Sequence, residues 1–132
     1  IICGKNLPEH LNNLEAYKDQ HIIYAGFVDD ISIYFLGADI FINPVIDGGG
    51  IKTKLVEALG YNLSVISTKS GANGVPVEIT NDKLKVVPDA SWTSFTKEIL
   101  LANTDKNIPN EFYQHFYWDN IAIKAAANIT AL

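Results

Sequence analysis

The sequence predicts an α/β fold, a doubly wound parallel sheet with helices on both faces. Two observations predict it. Short apolar runs bounded by Gly and Pro alternate with segments whose apolar residues recur at helical spacing, the pattern of βαβ crossovers. The chain has 132 residues, 48% hydrophobic and 19% charged. That suits a single domain over 1–132, which buries roughly two-thirds of its unfolded surface without disulfide or metal support. Crossovers of this kind are right-handed, and ligands of such sheets sit outside the carboxyl ends of the strands.

The elements follow in order. Residues 1–4 form an apolar run ended by Gly4, Asn6 and Pro8, a strand leaving into a turn. After Pro8, the residues Leu11, Leu14, Ala16 and Tyr17 stand at helical spacing. Residues 21–25 read as the next strand, broken by Gly26. Asp29 and Asp30 open a helix carrying Ile31, Ile33, Tyr34 and Leu36, because a short carboxylate accepts hydrogen bonds from free amides and suits the positive end of the helix dipole. Gly37 and Ala38 close it. Residues 39–43 are a strand that Pro44 stops. Three glycines at 48–50 precede a helix whose Ile51, Leu55, Ala58 and Leu59 stand at i, i+4, i+7 and i+8, with Gly60 and Asn62 as stop signals. Residues 63–68 form a strand feeding the turn at 71–74, and 84–87 form another, ended by Pro88. Helical patterns over about 91–103 and 119–131 follow, with Phe112, Phe116, Tyr117 and Trp118 between them.

Composition excludes several roles. A net charge of −5 argues against nucleic acid or an anionic membrane as the partner of the whole domain. The single cysteine, Cys3, builds no disulfide framework and fits a reducing compartment as a packed strand thiol. No apolar run approaches the roughly eighteen residues of a membrane span, and no segment has the pattern of a signal peptide. The chain contains no methionine and begins inside an apolar run, so it is expected to be a piece of a longer protein. His10, His21 and His115 are scattered and read as surface or helix-end residues. Trp92 is expected in the core, and the aromatics at 112–118 are expected to anchor the last helix.

Most of the chemistry lies in 43–58. Glycines permit positive φ and place no side chain between a ligand and the backbone amides, and the following helix offers free N–H groups with a partial positive charge. Lys52 and Lys54, expected in the first turn, oppose the helix dipole, and a bound diphosphate would reconcile the conflict. Glu57 stands about 10 Å along the axis from Gly50 and three residues beyond Lys54 on one face, so a lysine reaches phosphate while the carboxylate accepts from ribose hydroxyls. The competing reading is a structural turn followed by a surface Lys54–Glu57 pair worth under about 0.5 kcal/mol. The segment is neither a P-loop nor a dinucleotide Gly-x-Gly-x-x-Gly.

These residues resemble the carboxyl-terminal, donor-binding domain of GT-B glycosyltransferases, specifically the retaining group 1 or family 4 enzymes. The stretch Gly26-Phe27-Val28-Asp29-Asp30 with Tyr34 resembles the family's glycine-aromatic-valine loop and its helix, and 38–44 resembles the strand before the donor turn. Gly48, Gly50, Lys54, Glu57 and Ala58 match a branch reading Gly-x-Gly-x-x-x-Lys-x-x-Glu-Ala. Residues 65–68 and 71–74 resemble the next strand and turn, and 116–119 the aromatic stretch before the final helix. The resemblance covers nearly the whole chain and implies a Rossmann-like fold, the C-terminal half of GT-B lacking its first strand–helix unit.

The resemblance also implies roles. Glu57 matches the glutamate that binds the donor ribose. The amides around Gly49 to Ile51, after Gly48, match the donor-facing turn, and the backbone near Phe27 and Val28 matches the loop against the nucleotide base. Many members carry a further glutamate where this chain has Gly49, and Asp47 is the candidate to replace it. Lys54 fits its own branch. The implied reaction moves a sugar from a nucleoside-diphosphate sugar to an acceptor hydroxyl with retention. Helix amides and basic side chains stabilise the leaving diphosphate, so neither a metal nor another cofactor is expected. Asp29-Asp30 is not an Asp-x-Asp motif, and no histidine cluster offers ligands. The catalytic residues are not identifiable in this segment. The acceptor, a sugar or lipid-linked saccharide, belongs to an amino-terminal domain absent here, so the segment alone is expected to bind nucleotide weakly and transfer nothing. The expected setting is cytoplasmic, with peripheral membrane association of the full-length enzyme, in polysaccharide or glycolipid synthesis. Two alternatives stand: a GT-B nucleotide-sugar epimerase, and a non-catalytic doubly wound module whose glycine turn is only structural.

Overall fold

A computed structural model describes residues 1–130. The chain has an α/β architecture of parallel sheets flanked by helices, and it divides into two compact units, Ile1–Gly37 and Ala38–Leu132. Where one continuous sheet is expected from the sequence, the strands divide between two hydrogen-bonded sheets, one in each unit.

In the first unit, β1 (Ile2–Cys3) pairs in parallel with β2 (Tyr24–Gly26). The Ile2 amide donates to Ile23 O and the Gly4 amide to Gly26 O, both at 2.8 Å. The crossover between them differs from the expected α-helix. Residues Glu9–Gln20 form 3-10 turns interrupted at Asn12, Asn13 and Leu14, where φ is 41°, 52° and 61°. Paired asparagines tolerate this left-handed region better than most residues, since their short polar side chains bond locally. Of the four apolar residues at helical spacing only Leu14 is buried, so tertiary packing rewards no regular helix here. His21, also left-handed, ends the turns, which delays β2 from the expected residue 21 to Tyr24. The next helix, α1 (Ser32–Leu36), opens as expected on an aspartate: Asp30 accepts from the Ser32 amide at 2.9 Å and from its hydroxyl. Those two bonds, the hydroxyl's first, hold the Asp30 carboxyl below its ordinary pKa.

In the second unit, β3 (Ile40–Asn43), β4 (Ser64–Thr68) and β5 (Leu84–Val87) lie side by side in that order, all parallel. The register sets Ile42 beside Ile66 and Thr68 beside Val87. Every residue of β4 is buried, which requires cover on both faces. On one face, Ile66 and Val87 pack with Phe95 and Ile99 of α3 (Trp92–Leu100) and with Ile40. The helix between β3 and β4, α2 (Thr53–Gly60), packs on both strands and buries Leu55, Ala58 and Leu59. Trp92, expected in the core, is half exposed and meets the buried Phe95 edge-on at 6.2 Å. It is the first residue of α3, where a side chain leans back past the helix start rather than onto the sheet.

At the amino ends of β4 and β5 the segment 103–108 is strapped to the sheet. Ser64 Oγ donates to Asn103 O at 2.7 Å, and Asn81 Nδ2 donates to Asn107 O at 3.0 Å. Asn62 donates to Asn107 Oδ1 and accepts from the Ile108 amide, each at 2.8 Å. Lys83, 2% exposed, reaches Thr104 O at 3.4 Å; burial pushes its pKa down against the opposing charge of Asp105. Asp82 pairs with Lys85 and, at 2.9 Å, with Lys106.

The two lysines, Lys85 first, pull the Asp82 carboxyl from 3.8 to about 2. A carboxylate whose pKa falls on folding stabilises the fold fully above its unfolded value and loses that stabilisation as pH falls toward the folded one. Wild-type protein is therefore expected to lose, between pH 4 and pH 2, about 1 kcal/mol more stability than Asp82→Asn, the modest figure reflecting solvent screening. Urea unfolding of both proteins across that range checks this, and equal losses would remove the assignment.

Beyond α3, a helix not foreseen from the sequence, α4 (Asn110–Phe116), precedes α5 (Trp118–Thr130). The last residue of the expected 119–131 helix lies outside the described residues. Phe112 of α4 is buried, whereas Tyr117 and Trp118 are exposed and α5 buries no residue, so of the expected aromatic anchors Phe112 carries the packing. Among the described residues no helix is long and apolar enough to cross a membrane.

Candidate functional site at the carboxyl ends of the parallel strands

The second sheet sends three loops from its carboxyl edge, and buried polar groups tie them together. Asn43, the last residue of β3, donates from Nδ2 to Ser67 Oγ at 3.1 Å and to Gly71 O at 3.0 Å. Thr68 Oγ1 donates to Val45 O and accepts from the Gly71 amide at 3.1 Å. Asn43, Ser67, Thr68 and Gly71 are all buried, and among the described residues no buried side-chain nitrogen or oxygen lacks a partner. Each bond exchanges a costly desolvated group for a satisfied one, so the network fixes the loops relative to one another. The loop after β5 joins through Asp89, which accepts from the Ser70 amide at 2.9 Å and hydroxyl at 2.7 Å. Those bonds, the amide's first, lower the Asp89 pKa, helped by Lys69. Gly74, at φ 82°, backs onto Ile51, 3.5 Å from where its Cβ would stand.

The glycine turn sits on this base. Gly48 and Gly50 take φ of 89° and 73°, values that L side chains rarely adopt. Here Lys52 departs from expectation. It stands before α2 in extended conformation, not in the first turn, and its ammonium folds back to donate to the carbonyls of Gly48, Gly49 and Gly50 at 2.8, 3.2 and 3.4 Å. The conflict between Lys52 and the helix dipole is thus relieved by the turn itself, whereas Lys54 stands in the first turn of α2 as expected. The amides of Gly49, Gly50 and Ile51 make no hydrogen bond within the described residues, and no side chain caps α2.

Lys54 and Glu57 share the outer face of α2, joined at 2.7 Å with both side chains about half exposed. The competing sequence reading anticipates this pair, worth a few tenths of a kcal/mol. Asp47 is exposed and has no hydrogen-bond or ion-pair partner among the described residues. Glu57, Lys54, Asp47, Gly48, Gly49, Gly50 and Ile51 therefore lie together on one loop and helix. Phe27 and Val28 belong to the first unit, after β2. Phe27 is exposed, and Lys5 stands 3.9 Å over its ring. Among the described residues no group of three or more His, Cys, Asp or Glu could hold a metal ion.

Sequence reasoning missed the network under the turn. Asn43 and the pair Ser67-Thr68 are the polar carboxyl ends of β3 and β4, a signal read only as strand termination. It also missed Asp89 and the carbonyl contacts of Lys52.

The family model of glycosyl transferases group 1 matches residues 1–105, from β1 through α3 and into the strap. The chain belongs to the group 1 glycosyltransferases. All candidate residues of both units fall within the part matched to that group 1 glycosyltransferase family, whereas α4 and α5 lie beyond it. A similar protein, described as an uncharacterized 44.6 kDa protein in the cps region of Klebsiella pneumoniae, is 32% identical over 80 residues, which is 61% of this chain and 19% of that protein. This group 1 glycosyltransferase chain thus spans a small part of the relative it matches. No solved structure matches it.

Proposed function

We propose that the chain is the nucleotide-sugar donor-binding domain, one domain over 1–132, of a retaining GT-B enzyme of family 4. The observation that carries this reading is the glycine turn. Three consecutive unpartnered amides at the carboxyl edge of a parallel sheet, beside an uncapped helix start, form a site suited to a diphosphate.

In this reading the amides of Gly49, Gly50 and Ile51 receive the diphosphate, and the exposed Lys54–Glu57 pair opens so that Lys54 turns to phosphate and Glu57 accepts from the ribose hydroxyls. Asp47, free of partners, faces the donor sugar. As the bond to the sugar breaks, negative charge grows on the leaving diphosphate, and fixed amides and the helix dipole stabilise that charge without reorganising. The acceptor, a sugar or lipid-linked saccharide, is held by an amino-terminal domain, so the 132-residue chain binds nucleotide without turnover. The cps-region relative supports a place in polysaccharide synthesis; in this reading the full-length enzyme works on the cytoplasmic side, at the membrane periphery.

Lys52 satisfies the carbonyls of the turn, and Lys54 and Glu57 of α2 satisfy each other, which favours the competing reading of a structural turn in a non-catalytic module. Calorimetric titration with UDP, GDP and ADP separates the two. Binding of one of them, weakened about tenfold by Glu57→Ala through loss of charge-assisted hydrogen bonds, is the expected result. Binding that Glu57→Ala leaves unchanged defeats the ribose assignment. Silence with all three at millimolar concentration favours the structural turn.

A further inference from the structure

The ammonium of Lys52 faces three successive carbonyls, those of Gly48, Gly49 and Gly50, at 2.8, 3.2 and 3.4 Å. It carries three N–H donors on one nitrogen. The side chain folds back on the turn, its nitrogen 3.5 Å from where a Cβ on Gly48 would lie. Among the described residues no peptide bond is cis, and in a planar trans peptide the C=O of one residue and the N–H of the next point in opposite directions. Drawing the carbonyls of Gly48, Gly49 and Gly50 toward one nitrogen therefore directs the amides of Gly49, Gly50 and Ile51 away from it. These are the same amides that lack a partner within the described residues. A three-glycine segment left to itself samples many conformations, since glycine has the widest range and the largest entropy to lose.

We infer that Lys52 is a positioning residue, whose ammonium gathers the turn's carbonyls beneath it and so presets the amides of Gly49, Gly50 and Ile51 to face outward before any ligand arrives. Its functional meaning rests on the donor-site reading above; its geometry does not. Lys52 differs in role from Lys54, which donates to a carboxylate and to no backbone group. The lysine acts twice on an incoming anion. It removes the conformational cost of ordering the turn at the moment of binding, and it keeps a positive charge beneath the amides.

Nuclear magnetic resonance on the ligand-free 132-residue chain tests this directly. Cross-relaxation between the Lys52 ε-methylene and the Gly48 α protons is expected in the wild type, and its absence overturns the inference without need of a variant. Lys52→Met keeps the stem and removes the donors, and it is expected to shift the amide resonances of Gly49, Gly50 and Ile51 in the free protein. Unmoved resonances overturn the inference. Lys52→Arg keeps the charge, but a planar guanidinium fork cannot converge on three carbonyls as an ammonium does. In titrations with whichever nucleoside diphosphate binds, both variants are expected to lose about tenfold in affinity. Wild-type affinity in Lys52→Arg with a loss only in Lys52→Met would assign the lysine a role by charge alone and reject positioning. If the wild type binds no nucleotide while the cross-relaxation and the resonance shifts are seen, the donor reading fails and the positioning of the turn by Lys52 stands.

Discussion

Phe112→Ala is expected to cost about 3–5 kcal/mol, the range for removing a large side chain from a packed interior. The ring is 2% exposed and meets Phe116 at 4.9 Å and Tyr113 at 5.8 Å. Its helix, α4, packs on the 3-10 turn Val77–Thr80, and the Tyr113 hydroxyl donates to Gly60 O at 3.0 Å. Gly60 is the last residue of α2, so α4 grips the far end of the helix that carries Lys54 and Glu57. The cost therefore reaches the candidate site although α4 lies outside the segment matched to the family. Urea unfolding measures it. A loss below about 1 kcal/mol would mean that α4 is a peripheral addition and that the cavity collapses freely.

Gly71→Ala is the second large effect. A Cβ on Gly71 would stand 2.6 Å from Ser67 Oγ, 2.7 Å from Asn43 Nδ2 and 2.8 Å from Thr68 Oγ1. None of these is the loose end of a long side chain; each is a short group held in the buried network. Admitting one methyl means displacing hydrogen-bonded atoms that have no water to turn to. Overpacking of this kind costs about 1–3 kcal/mol, and breaking a buried bond adds to it, so a loss of about 3 kcal/mol is expected. That is a fall in Tm on the order of 10 °C for a chain of this size. Gly60→Ala is the matched control, because nothing lies within 4 Å of its added Cβ, and it is expected to change stability by less than about 1 kcal/mol, upward. Equal melting temperatures for the two variants would show that the three loops are not held by the network.

The strands were legible because a buried parallel strand needs little more than a short apolar run and a Gly or Pro to end it. The glycine turn and α2 were legible for the same reason, and Lys52 was visible as an anomaly. Its resolution was not, since it depends on the dihedral angles of Gly48 and Gly50, which no spacing rule encodes. The segment Glu9–Gln20 misled because its apolar spacing was helical while Asn12 and Asn13 could leave the helix at small cost. Short α4 offered one aromatic pair, Phe112 and Phe116, too little periodicity to separate from packing in a loop. In the buried network Asn43 bonds to residues 24 and 28 positions away, Ser67 and Gly71, and such pairings emerge only when strands lie in register.

The strap at 103–108 bears on where this protein can be shortened. The family match ends at residue 105, a natural place to trim an expression product. Trimming there would keep the acceptors on Asn103 and Thr104 but discard Lys106, Asn107 and Ile108, taking away the partners of both Asn62 and Asn81. Those two asparagines hold the turns that launch β4 and β5, so the strands would keep their sequence and lose their moorings. The unit defined by evolutionary similarity stops short of the unit defined by hydrogen bonding and packing, which runs on through the strap and α4 to Phe116, and the second is the safer boundary for making the protein.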